Sequence, residues 1–153
     1  AIQNYARKKY GLIIGERAAE EIKIKIGNAM IPKREVRKME VRGRDQASGL
    51  PRTITLTEPE VTEAIAEPLK KIIAGVKGVL EQTPPELASD VMDKGIILTG
   101  GSALLRNIDT LLTKVTGVPC QVAEDPLFCV VKGAGIAVEH LDAFKKSVLW
   151  AKE

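Results

Sequence analysis

Aromatic residues, histidine and cysteine are scarce in this sequence, and each shortage argues against a class of site. Aromatic residues make up 3% of the 153 residues, and there are two cysteines and one histidine. Proteins that bind single-stranded nucleic acid stack bases on aromatic side chains, so this composition disfavours that function. A zinc site of the usual kind needs about four protein ligands. Because only Cys120, Cys129 and His140 are available, we expect no metal site.

Long apolar runs and a secretory leader are also missing. No apolar run approaches the ~20 residues that a transmembrane helix needs, and the first residues lack the basic-then-apolar layout of a signal peptide. The sequence does not begin with methionine, so we expect it to start within a longer protein. Both cysteines lie among apolar neighbours, which predicts two buried free thiols in a reducing cytoplasm.

The charge balance is mild and points to no strongly charged partner. A net charge of +3 arises from 23 basic and 20 acidic residues. Basic residues stand out only in residues 33–52, where a solvated hairpin and a nucleic-acid surface are both open interpretations. The shortage of aromatic residues favours the hairpin, and we expect no nucleic-acid partner.

The first part of the chain predicts helices separated by a short connector. Residues 2–10 are typical of an amphipathic helix that ends at Gly11, and residues 12–15 form an apolar connector. Residues 21–26 alternate between charged and apolar side chains, as in a strand. The strong helix formers before them nevertheless favour a helix over residues 16–28. In that helix the core face would consist of Ala18, Ala19, Ile22 and Ile26.

A β-hairpin and a long helix follow. Residues 36–44 and 52–57 alternate with period two around a loop rich in turn formers, which predicts the hairpin. Thr57 and Glu60 have the spacing of a capping box and predict a helix start. Pro68 falls inside this helix and should kink it or split it in two. A short helical turn is expected after the next prolines.

The last third has an α/β pattern. We predict a buried parallel strand at residues 95–99, a helix at 103–116, a strand at 118–122 and a helix that starts with Asp125 as N-cap and runs from residue 126 to residue 141. Small residues in the last helix imply close packing against another element. The first half, with helices and one hairpin, is expected to be a separate α+β lobe.

The stretch GIILTGGSALL, residues 95–105, is the first candidate site. It places a strand end, two adjacent glycines and a predicted helix start in sequence. Ligands in α/β sheets lie at the carboxyl ends of strands, and helix N-termini offer free N–H groups. Gly100 and Gly101 would let a nucleotide reach the backbone, and Ser102 can cap. A tight turn packed against a neighbour explains the same residues.

The predicted helix at residues 16–28 is the second candidate. With ~100° per residue, Lys23, Ile24 and Gly27 fall near Glu20 on the side opposite the core face. Such a stripe suits a flat ring with hydroxyl groups, with Ile24 against the ring and Glu20 and Lys23 on a ribose or ring edge. A solvated, salt-bridged helix face is the open alternative.

No hydrolytic motif is present. The sequence contains no GxSxG, no HExxH and no glycine-rich phosphate loop followed by Lys-Ser/Thr. Adjacent carboxylates such as Glu20 and Glu21 do not face each other on a helix. We therefore assign no catalytic residue.

Four stretches of the sequence resemble the bacterial actin-like MreB family. They are GLIIGERAAEEIKIKIG (11–27), MEVRGRDQASGLPRTITLT (39–57), EQTPPELASDVMDKGIILTGGSALLRNIDTLL (81–112) and TGVPCQVAEDPLFCVVKGAGIAV (116–138). The order of TPPEL, GIILTGG and AEDPL is specific, and the likeness covers nearly the whole chain.

This resemblance implies an α/β fold, the second lobe of an actin-like (ribonuclease-H-like) ATPase. Residues 1–66 would form a small outer α+β subdomain, and residues 67–153 part of the large inner subdomain. The family's function implies an ATP-binding subunit of cytoplasmic filaments at the inner face of the cytoplasmic membrane. Its partners would be further copies of itself and the membrane-bound cell-shape and wall-synthesis proteins that maintain rod shape.

The resemblance also implies roles for the two candidate surfaces. Glu20 and Lys23 match the positions that hold adenine and ribose, and Gly100, Gly101 and Ser102 match the adenosine motif, although many relatives have a third glycine where Ser102 stands. ATP phosphates, Mg²⁺, the catalytic acid and the membrane anchor would be held mainly by residues before Ala1.

Two alternatives to this family remain open at the level of sequence. One is a chaperone or sugar kinase that shares the fold, and the other is a non-enzymatic partner-binding domain with structural glycines. The C-terminal residues Phe144, Val148 and Trp150 are expected to pack on the first lobe rather than on a membrane.

Overall fold

The computed structural model describes residues 1–33 and 35–141, so the expectations for Phe144, Val148 and Trp150 lie outside the described residues. In chain order the elements are α1 (Ile2–Tyr10), β1 (Leu12–Ile13), α2 (Glu16–Ile26), β2 (Lys38–Asp45), β3 (Pro51–Thr57), α3 (Glu58–Glu81), α4 (Pro85–Lys94), β4 (Ile96–Leu98), a one-turn 3₁₀ helix (Gly101–Leu104), α5 (Ile108–Thr116), β5 (Cys120–Val122) and α6 (Cys129–Glu139).

A small antiparallel sheet in the order β1-β2-β3 occupies the N-terminal part. The predicted hairpin is confirmed, with Val41 opposite Ile54, and both side chains are buried. The expectation of a plain connector at residues 12–15 is wrong, because Leu12 pairs with Asp45 as an edge strand. Leu12 is fully buried, and its burial stabilises this short strand.

Of the two helices beside this sheet, α1 has its predicted bounds, whereas α2 begins at Glu16 as predicted but ends at Ile26 and not at residue 28. Helix α1 ends at Gly11, which adopts the left-handed conformation (φ 62°) that glycine allows at low cost. Helix α2 buries Ile22 and Ile26, as its apolar spacing predicts.

Helix α3 begins with the predicted capping box, in which the backbone N–H of Thr57 donates to the Glu60 carboxylate at 2.8 Å. The helix runs without a break past Pro68, so of the two expected effects of the proline the split is wrong, and the kink stays a prediction. Ile65 and Leu69, on either side of the proline, are both buried. Their burial stabilises the helix on both sides of the proline.

The C-terminal part is the predicted α/β unit. Strands β4 and β5 are parallel, with Ile96 opposite Cys120 and Leu98 opposite Val122. The predicted helical turn after the prolines is a ten-residue helix, α4. The predicted helix at 103–116 is wrong in its first part, because α5 begins only at Ile108.

The start of α6 also differs from its prediction. Asp125 has φ 48° and is not the N-cap, because Asp125 to Phe128 form a turn in which the Phe128 N–H donates to the Asp125 carbonyl at 2.8 Å. Helix α6 has no buried residues. Within residues 1–33 and 35–141 its small residues therefore do not pack closely against another element, contrary to expectation.

One hydrophobic core runs through both parts of the chain, from Ile2 in α1 to Leu112 and Cys120 near its other end. Both cysteines are free, but only Cys120 is buried, while Cys129 is half-buried, so one of the two predicted buried thiols is wrong. The boundary between residues 66 and 67 stays a prediction. Among the described helices, none is long and apolar enough to cross a membrane.

Candidate functional site

A cavity of about 860 Å³ brings the two candidate surfaces together. Glu20, Lys23 and Ile24 of α2 line one side, and Gly101 and Ser102 line the other. About 80 residues separate these two groups in the chain. The fold therefore creates one cleft from two surfaces that the sequence presents separately.

The α2 side of the cleft combines an ion pair with an apolar side chain. Lys23 Nζ lies 2.8 Å from a Glu20 carboxylate oxygen, and Ile24 is 65% exposed. The charged pair is itself open to solvent, so its hydrogen-bonding groups are accessible to a ligand. Burying Ile24 under a flat ring would remove apolar surface from water, which is favourable.

The opposite side of the cleft is a sharp turn at residues 100–102, and its two glycines are needed for different structural reasons. Gly100 has φ 83° and ψ 173°, a combination that is essentially restricted to glycine, and its N–H donates to the Pro126 carbonyl at 2.7 Å. A Cβ on Gly101 would lie only 3.2 Å from Leu127 Cδ2. Gly100 thus allows a backbone conformation that other residues avoid, and Gly101 allows Leu127 to lie close to the turn.

The turn does not lead into a long helix as predicted. Residues 101–104 form one turn of 3₁₀ helix, and α5 starts after Asn107. Ser102 does not cap this turn through its side chain; its backbone carbonyl accepts from the Leu105 N–H at 3.1 Å. Any nucleotide contact here would therefore use the turn itself and not the N-terminus of a long helix.

Gly27 does not lie on the exposed stripe where the helical wheel places it. It is buried, and a Cβ there would meet the Lys23 carbonyl at 2.2 Å and Leu105 Cδ1 at 3.0 Å. The wheel fails at this position because α2 ends at Ile26, so Gly27 leaves the helical path. Its small size lets the chain pack against Leu105 behind the cleft.

The rest of the cavity is mostly apolar. Ile97, Leu104 and Leu127 line it with more than half of each side chain exposed. At its rim the Gln3 amide donates to the Ile14 carbonyl at 3.0 Å. An apolar cleft with a few placed polar groups is typical of small-molecule sites.

A polar cluster behind the cleft was not found from sequence. Arg106 and Asn107 contact the end of α2 and Asn28, and Asn28 contacts Glu58. The signal in the sequence is the polar pair RN inside an apolar run, which lies within the helix predicted at residues 103–116. In the ranges that the structure describes, no group of three or more His, Cys, Asp or Glu residues could hold a metal ion.

Comparison with known proteins gives consistent matches. A family model described as MreB/Mbl protein matches residues 1–146. The cell shape-determining protein MreB of Escherichia coli (strain K12) is 56% identical over 142 residues, which cover 93% of this chain and 41% of that protein. The cell shape-determining protein Mbl of Bacillus subtilis (strain 168) is 47% identical over 148 residues, which cover 97% of this chain and 44% of that protein.

Solved structures agree with these sequence matches. The structure of MreB5 of Spiroplasma citri bound to ADP superposes with a TM-score of 0.87 at 37% identity, covering 92% of this chain and 42% of that one. The structure of MreB 5 of Spiroplasma citri bound to AMPPNP also superposes with a TM-score of 0.87. The identity is 36%, and the match covers 95% of this chain and 44% of that one. The chain thus spans about two fifths of the length of the relatives it matches.

Proposed function

The chain belongs to the MreB/Mbl family and has its actin-like fold, and from that premise we propose that it is the adenosine-binding lobe of an ATP-binding, filament-forming bacterial actin homologue. The proposal concerns a longer protein, called here the full-length protein, because the chain spans about two fifths of its relatives. In that protein it would serve cell shape by organising cell-wall synthesis.

One observation carries the nucleotide assignment: a single cavity is lined by both the α2 stripe and the glycine turn. Adenine would lie against Ile24, and the ribose hydroxyls would bond Glu20 and Lys23. Gly101 and Ser102 would contact the nucleoside from the other side, with Gly100 holding the turn in shape. Gly27 would act through packing and not through contact. The MreB5 structures with ADP and AMPPNP support this assignment.

The phosphates and Mg²⁺ belong to another part of the full-length protein in this proposal. Among the described residues that line the cleft, Lys23 is the one lysine, and it already pairs with Glu20. These residues therefore provide little positive charge for a triphosphate. We assign no catalytic residue to this chain. It would supply nucleoside recognition, and hydrolysis would depend on groups outside it.

The proposed partners are further copies of the same protein and membrane-bound proteins of cell-shape control and wall synthesis. The proposed location is the cytoplasmic face of the cell membrane. Family membership disfavours the chaperone and sugar-kinase alternative. A partner-binding domain without nucleotide remains as an outcome of the test.

Sedimentation of the full-length protein tests this function. We expect wild-type protein to pellet as filaments with ATP and to stay largely in solution without nucleotide. Gly101→Val should pellet less with ATP, because its branched side chain would crowd Leu127 and the cavity. Failure of the wild-type protein to pellet at any concentration would contradict filament formation, and equal pelleting of the variant would favour structural glycines.

A further inference from the structure

A polar cluster made of Arg106, Asn107, Asn28 and Glu58 ties the two sides of the cleft together from behind. Asn28 and Arg106 form an isolated parallel β-bridge. The backbone N–H of Ala29 donates to the Arg106 carbonyl at 2.8 Å. These contacts join the end of α2 to the segment that follows the glycine turn, although about 80 residues separate them in sequence.

Arg106 binds the C-terminal end of α2. Its guanidinium donates to the Lys25 carbonyl at 2.8 Å, to the Gly27 carbonyl at 3.4 Å and to the Ile24 carbonyl at 3.5 Å. The last carbonyls of a helix have no partner within it and carry partial negative charge, so a cation is favourable here. One side chain thus satisfies several carbonyls that α2 leaves free.

Asn28 extends the cluster into the core. Its side-chain oxygen accepts from Asn107 Nδ2 at 2.9 Å and from the Met30 N–H at 3.0 Å, and its Nδ2 donates to Glu58 Oε1 at 2.8 Å. Asn28 is 4% exposed and Glu58 is 3% exposed. Breaking the bond between Asn28 and Glu58 would leave buried polar groups unsatisfied, which makes this part of the cluster resistant to change.

Asn107 adds a backbone constraint. It adopts the left-handed conformation at φ 59° just before α5, a region that asparagine tolerates better than most residues. This conformation aims its side chain at Asn28 while its carbonyl accepts the Leu111 N–H at 2.9 Å. The start of α5 and the end of α2 are therefore held to the same point.

We propose that Arg106, supported by Asn28 and Asn107, is a positioning residue that sets the spacing between α2 and the glycine turn, and so controls the affinity for the nucleoside. Arg106 touches the carbonyls of Ile24 and Lys25, which stand next to Lys23 in the same turn of α2. The proposal rests on the proposed nucleotide site. Arg106 acts through α2 and not by contact with the ligand.

The test is ATP and ADP binding to the full-length protein by calorimetry at a temperature where every variant is folded. Arg106→Ala should lower the affinity for ATP and the affinity for ADP by the same factor, about tenfold. A change of this size is within the usual range of coupling between two sites. Arg52→Ala is the matched control: Arg52 also bonds a backbone carbonyl (Tyr10, 3.1 Å) and an aspartate (Asp45, 2.9 Å), but in the hairpin. The affinity of the Arg52→Ala variant for both nucleotides should equal that of the wild type.

A double-mutant cycle with Lys23→Ala separates positioning from general destabilisation. If Arg106 acts by placing Lys23 and its neighbours, its removal should cost less once Lys23 is already gone. Fully additive losses would overturn the proposal. Should Arg106→Ala fail to fold, Asn107→Gly removes the side-chain bond to Asn28 while glycine keeps the left-handed conformation at low cost. An unchanged affinity of that variant would overturn the proposal.

The two proposals fail in different ways. Wild-type affinity in Arg106→Ala together with weakened binding in Lys23→Ala would overturn the positioning role and leave the nucleotide site standing. Wild-type affinity in both variants would overturn both.

Discussion

Glu60 accepts hydrogen bonds from three side chains and one backbone group at the start of α3. Its carboxylate lies 2.8 Å from Lys9 Nζ and accepts from the Tyr10 hydroxyl. It also accepts from the N–H and the hydroxyl of Thr57, at 2.8 and 2.7 Å. One carboxylate therefore caps α3 and holds α1 against it.

This cluster predicts an acid-sensitive part of the stability. Partial burial alone would raise the pKa of Glu60, but the hydrogen bonds from Lys9, Tyr10 and Thr57 outweigh burial and lower the pKa from 4.5 to about 2. A lowered pKa in the folded state stabilises the protein above the unfolded-state pKa, and that contribution is lost as the pH falls from about 4.5 towards 2.

We expect Glu60→Gln to lower the thermal unfolding midpoint of the full-length protein near neutral pH, and to lower it progressively less as the pH falls from about 4.5 towards 2. Glu81→Gln changes an exposed carboxylate on the same helix and serves as the control. A difference between wild type and Glu60→Gln that stays constant over this pH range would contradict the role of the ionised carboxylate.

Single residues also show where sequence reasoning succeeds. A helical wheel is enough to group Glu20, Lys23 and Ile24, because these residues lie inside a regular helix. It misplaces Gly27, which lies just beyond the helix end, where the period of 3.6 no longer applies. The different roles of Gly100 and Gly101 depend on a dihedral angle and on the distant Leu127, and neither is visible in the local pattern.

Among the helices, α3 is unusual because it continues through Pro68. Proline lacks the N–H that would bond the carbonyl four residues earlier. Pro68 is exposed, so its ring gains little from burial in this chain. The buried residues on either side favour a continuous helix, at the cost of one backbone hydrogen bond.

Pro68→Ala should therefore raise the free energy of unfolding of the full-length protein by about 1–3 kcal/mol, since a helix-interior proline costs about 3 kcal/mol relative to alanine. Pro59→Ala is the matched control, because Pro59 stands in the first turn of the same helix, where no intrahelical bond is lost. Denaturant unfolding measures both. A less stable Pro68→Ala variant would show that the ring makes a contact worth more than the bond.

Element boundaries in the C-terminal part were harder to predict than the elements themselves. The apolar spacing of residues 103–116 predicts one helix, but Leu105 ends the 3₁₀ turn and Asn107 takes a left-handed conformation. The polar contacts of Arg106 and Asn107 with Asn28 override the local helical tendency. Tertiary bonds of this kind cannot be read from periodicity.

At the scale of the whole molecule, the cleft exists because one core joins the N-terminal helices to the C-terminal α/β unit. Ile22 of α2 and Ile108 of α5 belong to the same cluster of buried residues. From the residues alone, each candidate surface remained open to a purely structural explanation. The family resemblance predicts that both would meet at one nucleoside. The cavity brings the two surfaces together, and the nucleoside between them stays a proposal.

Helix α6 carries apolar side chains that no described part of this chain covers. Val130, Val131, Ile136 and Val138 of α6 are each more than half exposed, and both faces of a parallel sheet such as β4-β5 are normally covered. Since the chain spans about two fifths of its relatives, binding measurements belong in the full-length protein.

The central claim, that the nucleoside lies between α2 and the glycine turn, is tested most directly by calorimetric titration of the full-length protein with ATP. Lys23 and Lys25 lie on the same helix and pair with Glu20 and Glu21 at 2.8 and 2.6 Å, but only Lys23 lines the cleft. Lys23→Ala should weaken ATP binding about tenfold, the loss expected for one hydrogen bond from a charged group, and Lys25→Ala should leave it unchanged. Equal affinity of both variants, whether both match the wild type or both are weakened, would contradict the claim.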